Sequence, residues 1–209
     1  MTDLFAQLAK ALENGEDAQV VALTQQALTG GASAREILEQ GLFAGMGVVG
    51  RLFRDGELFL PEVLLSARAM NGAIAVLEPH LAQGPSAKLD KVVLGTVRGD
   101  MHDIGKSIVG IMMRGAGYQV VDLGIDVPVE NFVSAVKELR PVAVGLSALL
   151  TTTMVVMKDV IDALKAAGLR DQVKVLIGGA AVTQRFADDI GADGYAENAY
   201  GAVALLKGE

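Results

Sequence analysis

Cysteine is missing from this chain altogether. That excludes disulfides, thiolate nucleophiles, iron–sulfur clusters and cysteine-ligated zinc, and it fits a cytoplasmic setting. Histidine is nearly as scarce, with two copies in 209 residues, so imidazole chemistry has few places to sit. Aromatics make up 4% of the chain against 51% for hydrophobic residues as a whole, which leaves an aliphatic core. Basic charge is outweighed. A net charge of −7 has the wrong sign for a nucleic-acid footprint, which needs a basic patch. The longest apolar run, Val142 to Leu150, falls far short of the roughly 20 residues of a membrane span. The start, Met1-Thr2-Asp3-Leu4, lacks the positive charge and apolar core of a secretory signal. The expectation is a cytoplasmic protein with neither nucleic acid nor membrane as a partner.

What is present divides into two halves of different period. Residues 1 to about 80 carry helical stripes. Leu4, Leu8, Ala11 and Leu12 form the first, ended by Asn14-Gly15, and Val20, Val21, Leu23, Thr24 and Leu28 the second, ended by Gly30-Gly31. Ser33 with Glu36 three residues on is a capping box that opens a third helix through Ile37, Leu38, Leu42, Met46 and Val49. Four glycines lie in it, Gly41, Gly45, Gly47 and Gly50. Each costs roughly 1 kcal/mol relative to alanine, which points to close helix packing. After Asp55-Gly56, Pro61 suits the first turn of a fourth helix that runs to about Leu77. The reading is an N-terminal four-helix bundle, followed by a linker over Pro79–Asp90 with Gly84-Pro85-Ser86 as a hinge.

Beyond the linker, strand-like runs at Lys91–Val97, Gln119–Leu123, Val142–Leu149 and Val173–Ile177, with a weaker one near Asp193–Ala196, alternate with helical segments. Such alternation predicts an α/β doubly wound parallel sheet. Five strands suggest the flavodoxin-like, Rossmann-type order 2-1-3-4-5. The expected domains are 1–88, helical, and 89–209, α/β.

The densest chemistry lies where the first strand turns into its helix, at Gly99-Asp100-Met101-His102-Asp103-Ile104-Gly105-Lys106. Ligands collect at such turns in open α/β sheets. Asp100 and His102 cannot face each other on a helix, but on a turn they can. A carboxylate that accepts the imidazole Nδ1–H fixes the tautomer and leaves Nε2 free for a metal. Gly105 lets a bulky ligand approach the backbone. A plainer reading makes Asp100 or Asp103 a helix cap and His102 a solvated residue. A phosphate loop fails because position 100, where its first glycine belongs, is aspartate. A phosphoacceptor receiver fails because the third strand ends without an aspartate. Two further segments lie where ligands of this fold bind: Ser147-Ala148-Leu149-Leu150-Thr151-Thr152-Thr153 after the third strand, and Gly178-Gly179 after the fourth.

Taken together, D-x-H-x-x-G at Asp100, His102 and Gly105, then S-x-L at Ser147 and Leu149 about 41 residues on, then G-G at Gly178 and Gly179 about 28 residues later, resemble the cobalamin-binding domain family. The resemblance implies cobalamin (methylcobalamin, cob(I)alamin or a related corrinoid) bound base-off, with His102 as the lower axial cobalt ligand and Asp100 as its partner. It implies that Met101, Asp103, Ile104 and Gly105 lie against the cofactor. Ser147, Leu149, Thr151, Gly178 and Gly179 would line the cleft for its nucleotide tail. Thr153 matches the hydroxyl that extends the ligand relay in cobalamin-dependent methionine synthase. The N-terminal half is similar to the helical cap of that enzyme and of corrinoid methyl carriers through Gly50-Arg51-Leu52-Phe53 and Leu58-Phe59-Leu60-Pro61-Glu62. Phe53 and Leu60 match its upper-face residues.

The family further implies a stand-alone corrinoid protein, not catalytic alone. It would carry a methyl group on cobalt between a substrate-specific methyltransferase and a second one serving tetrahydrofolate or coenzyme M, with a reductive activase as a third partner. The apolar bundle leaves a homodimer open. A cobalamin-dependent sensor shares the same two domains and is the alternative.

Overall fold

The computed structural model describes residues 2–81 and 89–208. The Gly84-Pro85-Ser86 hinge lies outside the described residues. The chain divides into two compact units, one of residues 1–88 with 115–117 and one of residues 89–114 with 118–209.

In the first unit, α1 (Thr2–Glu13) and α2 (Asp17–Thr29) are separated by Gly15 at a φ of 69°. The capping box forms as the sequence predicts. Ser33 Oγ accepts from the Glu36 amide at 3.2 Å, and Glu36 Oε2 accepts from the Ser33 amide at 2.9 Å. The helix it opens is composite: α3 (Ala34–Glu36), a π-helical stretch (Ile37–Phe43), then α4 (Ala44–Arg54). Its buried positions explain the π stretch. Ile37/Leu38, Gly41/Leu42, Gly45/Met46 and Val49/Gly50 are buried pairs repeating every four residues. A repeat of four overruns the 3.6-residue α-turn, so a pure α-helix would carry the stripe around its own axis. The wider π turns wind the other way relative to that repeat and return the stripe to one face.

α5 (Leu60–Leu81) completes the four-helix arrangement. It runs four residues beyond Leu77 and contains Pro79, so the expected linker start at Pro79 is corrected. Proline already holds a helical φ, and as the third-last residue of α5 Pro79 has few residues after it that its missing N–H could uncouple. Among the described residues, Leu60–His80 is the one stretch long and apolar enough by length and composition to cross a membrane. Ser66, Arg68 and Asn71 interrupt it, so it forms no continuous apolar run. Val63, Ser66, Ala69, Met70, Ala73 and Leu77 are buried, and the Ser66 hydroxyl reaches the Glu13 carbonyl at 3.4 Å. That is the pattern of a bundle core helix.

The second unit is a five-stranded parallel sheet in the order β2-β1-β3-β4-β5, as the alternation predicts. Its strands are β1 (Lys91–Thr96), β2 (Gln119–Asp122), β3 (Ala143–Ser147), β4 (Lys174–Gly178) and β5 (Gly194–Ala196). Helices α6 (Ile104–Gly115), α7 (Val129–Leu139), α8 (Thr151–Met154), α9 (Val156–Ala166), α10 (Gln184–Ile190) and α11 (Ala199–Lys207) lie between and after them. Phe132, Val136, Met157, Val160, Ile161 and Leu164 of α7 and α9 pack on Val93, Val144, Val175 and Ile177 of the sheet. Gly95 is what admits Phe132, since a Cβ there would lie 2.6 Å from its ring. The register sets Thr96 beside Ser147 and Ser147 beside Gly178. The strands thus end level at the edge where the sequence order reverses between β1 and β3, the binding crevice of such sheets.

The glycines of the composite helix make a testable contrast. A Cβ at Gly45 would stand 2.9 Å from the Ala9 carbonyl oxygen, and one at Gly41 2.6 Å from Leu8 Cδ2. Exposed Gly47 would meet only Arg51, at 3.9 Å. Gly45→Ala is expected to cost about 1–3 kcal/mol through overpacking against backbone. Gly47→Ala should gain up to about 1 kcal/mol from helix propensity. Urea unfolding followed by helical circular dichroism reads both.

Candidate functional site

The loop from β1 to α6 leaves the sheet through Gly99, at a φ of 83°. The next residue, Asp100, is fully buried, and its carboxylate gathers donors from two segments, its own loop and the one after β3. Oδ1 accepts from His102 Nδ1 at 2.7 Å and from the His102 amide at 3.1 Å. Oδ2 accepts from the Thr153 hydroxyl at 2.6 Å, the Leu149 amide at 2.8 Å and the Leu150 amide at 3.4 Å. Burial pushes the Asp100 carboxyl upward. The bonds from Thr153, from the side chain and amide of His102 and from Leu149 overcome that and hold it well below the usual carboxylate range. Ionised, Asp100 can only accept, so His102 carries its proton on Nδ1. Nε2 makes no hydrogen bond among the described residues, on a side chain that is 51% exposed.

Backbone contacts hold the loop's shape. The buried Thr96 hydroxyl donates to the His102 carbonyl at 2.9 Å, and the Asp100 amide donates to the Val97 carbonyl at 3.1 Å. Around His102, Met101 is 64% and Ile104 70% exposed, and Asp103 is exposed as well. A Cβ at Gly105 would meet nothing within 4 Å, so the helix start stands open. Leu149 and Leu150, on the facing loop, are also exposed apolar residues.

The structure therefore brings Asp100, His102, Leu149 and Thr153 into one network and sets Ser147 beside Gly178. Thr151 is exposed at the start of α8. None of the hydroxyls caps that helix. Leu150 occupies the cap position, and Thr153 is committed to Asp100. Gly178 ends β4 with room for no side chain, since a Cβ would stand 2.9 Å from the Ala196 carbonyl oxygen. Gly179, at a φ of 129°, would place one 1.9 Å from the Ala148 carbonyl oxygen. Phe53 and Leu60 belong to the helical unit. They flank the turn whose Gly56 amide bonds back to the Phe53 carbonyl at 3.2 Å, and both are half-buried.

Two alternatives from the sequence narrow here. The Asp100 carboxylate does not cap α6, being filled by other donors, which leaves the cap position to Asp103, whose carbonyl accepts from the Ser107 amide at 2.8 Å. Lys106 serves no phosphate loop: it is buried, and its ammonium is held by both oxygens of Asp122. Periodicity and motif spacing did not pick out that pair, Thr96, or Asp126, whose carboxylate accepts from the Gly99 amide at 2.7 Å.

Comparison with known proteins bears on the same residues. The B12 binding domain family matches residues 90–204, and a second B12 binding domain model matches residues 4–78. Dimethylamine corrinoid protein 2 of Methanosarcina acetivorans is 48% identical over 206 residues, covering 98% of this chain and 95% of that one. The trimethylamine corrinoid protein of Methanosarcina barkeri is 47% identical over 207 residues, covering 98% and 95%. Among solved structures, the methanol:cobalamin methyltransferase complex MtaBC from Methanosarcina barkeri matches with a TM-score of 0.88 and 38% identity, over 99% of this chain and 81% of that one. A cobalamin-binding protein from Desulfitobacterium hafniense matches with a TM-score of 0.81 and 35% identity, over 97% of each chain.

The Asp100 network makes an acid-dependence prediction. Its folded-state pKa lies below the unfolded value of about 3.9, so its stabilisation is fully present above that pH and is lost as pH falls below it. Asp100→Asn lacks this contribution and turns an NH2 toward the donors, a loss of about 1–3 kcal/mol at neutral pH. Urea titrations should show a constant gap between parent and variant from pH 6 to about pH 5, and a gap that narrows as pH falls through about 4 and below.

Proposed function

This chain belongs to the B12-binding corrinoid proteins, it carries methyl groups with cobalamin as its cofactor and a methyltransferase as its partner, and on that premise we propose how its own residues do so. In this reading cobalamin binds base-off with His102 Nε2 as the lower axial ligand. The observation that carries it is the 2.7 Å bond from His102 Nδ1 to a buried, ionised Asp100, which leaves only Nε2 free, on a half-exposed side chain. The bound cofactor supplies a cobalt centre able to accept a methyl group and give it up again.

The surrounding residues fit such a group. Met101, Ile104 and Leu149 offer apolar surface beside the imidazole, and the open start at Gly105 leaves space for a macrocycle. Asp103 flanks that surface. Ser147, Thr151, Gly178 and Gly179 would take the displaced nucleotide tail, and the two glycines keep that row free of side chains.

Asp100 has a second task. A donated Nδ1–H makes imidazole a stronger base at Nε2. The carboxylate would hold the Nδ1 proton in place whether or not Nε2 carries a metal. Asp100 does not take that proton, because donors fill both of its oxygens. Thr153 anchors the carboxylate from the far side.

The carrier's partners in this reading are a substrate-specific methyltransferase, a second methyltransferase serving tetrahydrofolate or coenzyme M, and a reductive activase. A homodimer is compatible with it. Relatives named for dimethylamine and trimethylamine are nearly equally similar to this chain. We read the methyl donor as a methylated amine chosen by the partner enzyme, and the chain alone as having no turnover.

The decisive experiment labels the protein uniformly with 15N and reconstitutes it with unlabelled cobalamin. In the cobalt(II) paramagnetic spectrum, an axial 14N splits each line into three and an axial 15N into two. A doublet is expected from the parent, and its loss from His102→Ala. A triplet in labelled parent, or a doublet surviving in the variant, would overturn the assignment. Separately, the purified chain incubated with methylated amines should form no product until a methyltransferase is added. Sustained demethylation without one would contradict the carrier role.

A further inference from the structure

The loop that presents His102 is held from two opposite sides. On one side, the segment after β3 holds the Asp100 side chain through Leu149, Leu150 and Thr153. On the other, the segment after β2 holds the backbone. The Asp126 amide donates to the Asp100 carbonyl at 3.0 Å, and Asp126 Oδ1 accepts from the Gly99 amide at 2.7 Å. One residue thus grips both ends of the Gly99–Asp100 unit, at the point where the chain turns out of the sheet.

Asp126 does this from a left-handed conformation, at a φ of 51°. Only two described residues other than glycine have a positive φ. Aspartate tolerates this region better than most side chains, though not without cost. The pose aims its amide and its carboxylate at the same neighbouring turn, where Gly99 is itself left-handed at 83°. The approach is guided by a continuation of β1–β2 pairing past the strand ends. The Thr96 amide bonds the Gly124 carbonyl at 3.0 Å, the Val127 amide bonds the Thr96 carbonyl at 2.9 Å, and Val97 bridges Val127. The same Thr96 holds the His102 carbonyl. Four residues further along, Lys106 is tied to Asp122 at the end of β2. Two carboxylates from one short stretch therefore fasten the start and the end of the segment that carries the imidazole.

The two fastenings differ in setting. Lys106 is buried, so its pair belongs to the packing of α6. The bond from Gly99 to Asp126 is exposed, and water can replace the lost acceptor, so its removal leaves the folded state intact. Its loss instead loosens the turn at Gly99 and leaves the Asp100 backbone held only by its own amide and carbonyl bonds, which gives its buried side chain more play. His102, bonded to that side chain at Nδ1 and through its amide, moves with it.

We propose that Asp126 is a positioning residue for His102: it fixes the Gly99–Asp100 unit and thereby aims Nε2 at the cobalt. This deepens the reading above and rests on His102 being the ligand.

The test uses Asp126→Gly, which keeps the left-handed backbone and removes the acceptor, and Asp126→Asn, which keeps an acceptor oxygen. In the chain without cofactor, Gly99 amide exchange followed by nuclear magnetic resonance should quicken about tenfold or more in the glycine variant and return toward parent in the asparagine variant. Its thermal midpoint should stay at the parent value. In 15N-labelled protein loaded with cobalamin, the cobalt(II) doublet of the glycine variant should weaken or broaden as a share of molecules loses axial nitrogen, and Asp126→Asn should restore it. A parent doublet that is unchanged in Asp126→Gly overturns the positioning role and leaves the ligand assignment standing. A parent spectrum without protein nitrogen overturns both. Asp126→Ser, with a shorter acceptor, carries the same comparison if the glycine variant does not fold.

Discussion

One buried carboxylate organises this site. Asp100 has no exposed surface, yet it stays ionised because hydrogen-bond donors from its own loop and from the segment after β3 fill both oxygens. A buried charge without such partners would be forced to neutralise. The amides of Leu149 and Leu150 donate to that carboxylate, so the same bonds that keep it ionised tie the loops after β1 and β3 together. The imidazole is oriented as a by-product of satisfying that charge.

The sheet makes the closure possible. Because β1 and β3 are neighbours while their helices leave toward opposite faces, the chain segments beyond them part and leave a crevice. Thr96, Ser147 and Gly178 end level across three strands, so a ligand lying over that edge meets a flat row of small groups. Gly95, one residue deeper, is consumed by packing against Phe132. Glycines in this unit thus serve two unrelated purposes, core packing beneath the edge and open access above it.

Much of this arrangement was legible in the residues. The alternation of strands and helices predicts the sheet order, and the pairing of Asp100 with His102 follows from a spacing that only a turn can satisfy. Ser33 and Glu36 announce their helix start because capping is a local interaction. What stayed hidden was non-local. Nothing in the spacing of Asp126 or Lys106 points to their partners, since those bonds join segments that meet only once β2 has paired with β1. Pro79 misled in the opposite sense, because a helix-breaking residue ends a helix only where the lost bond matters. The four-residue repeat from Ile37 to Gly50 was visible but unread: its stripe drifts from the α period, and that drift is the signal for the π turns.

Asp100 also leaves a charge unbalanced. Among the described residues its one ionisable partner is the imidazole, while the buried cation in the first turn of α6, Lys106, is spent on Asp122. The carboxylate is stabilised by dipoles, which orient a charge without cancelling it. Its remaining field reaches outward through the histidine ring to Nε2. In the proposed reading, a metal on Nε2 would bring the positive charge that the carboxylate's neutral donors do not supply.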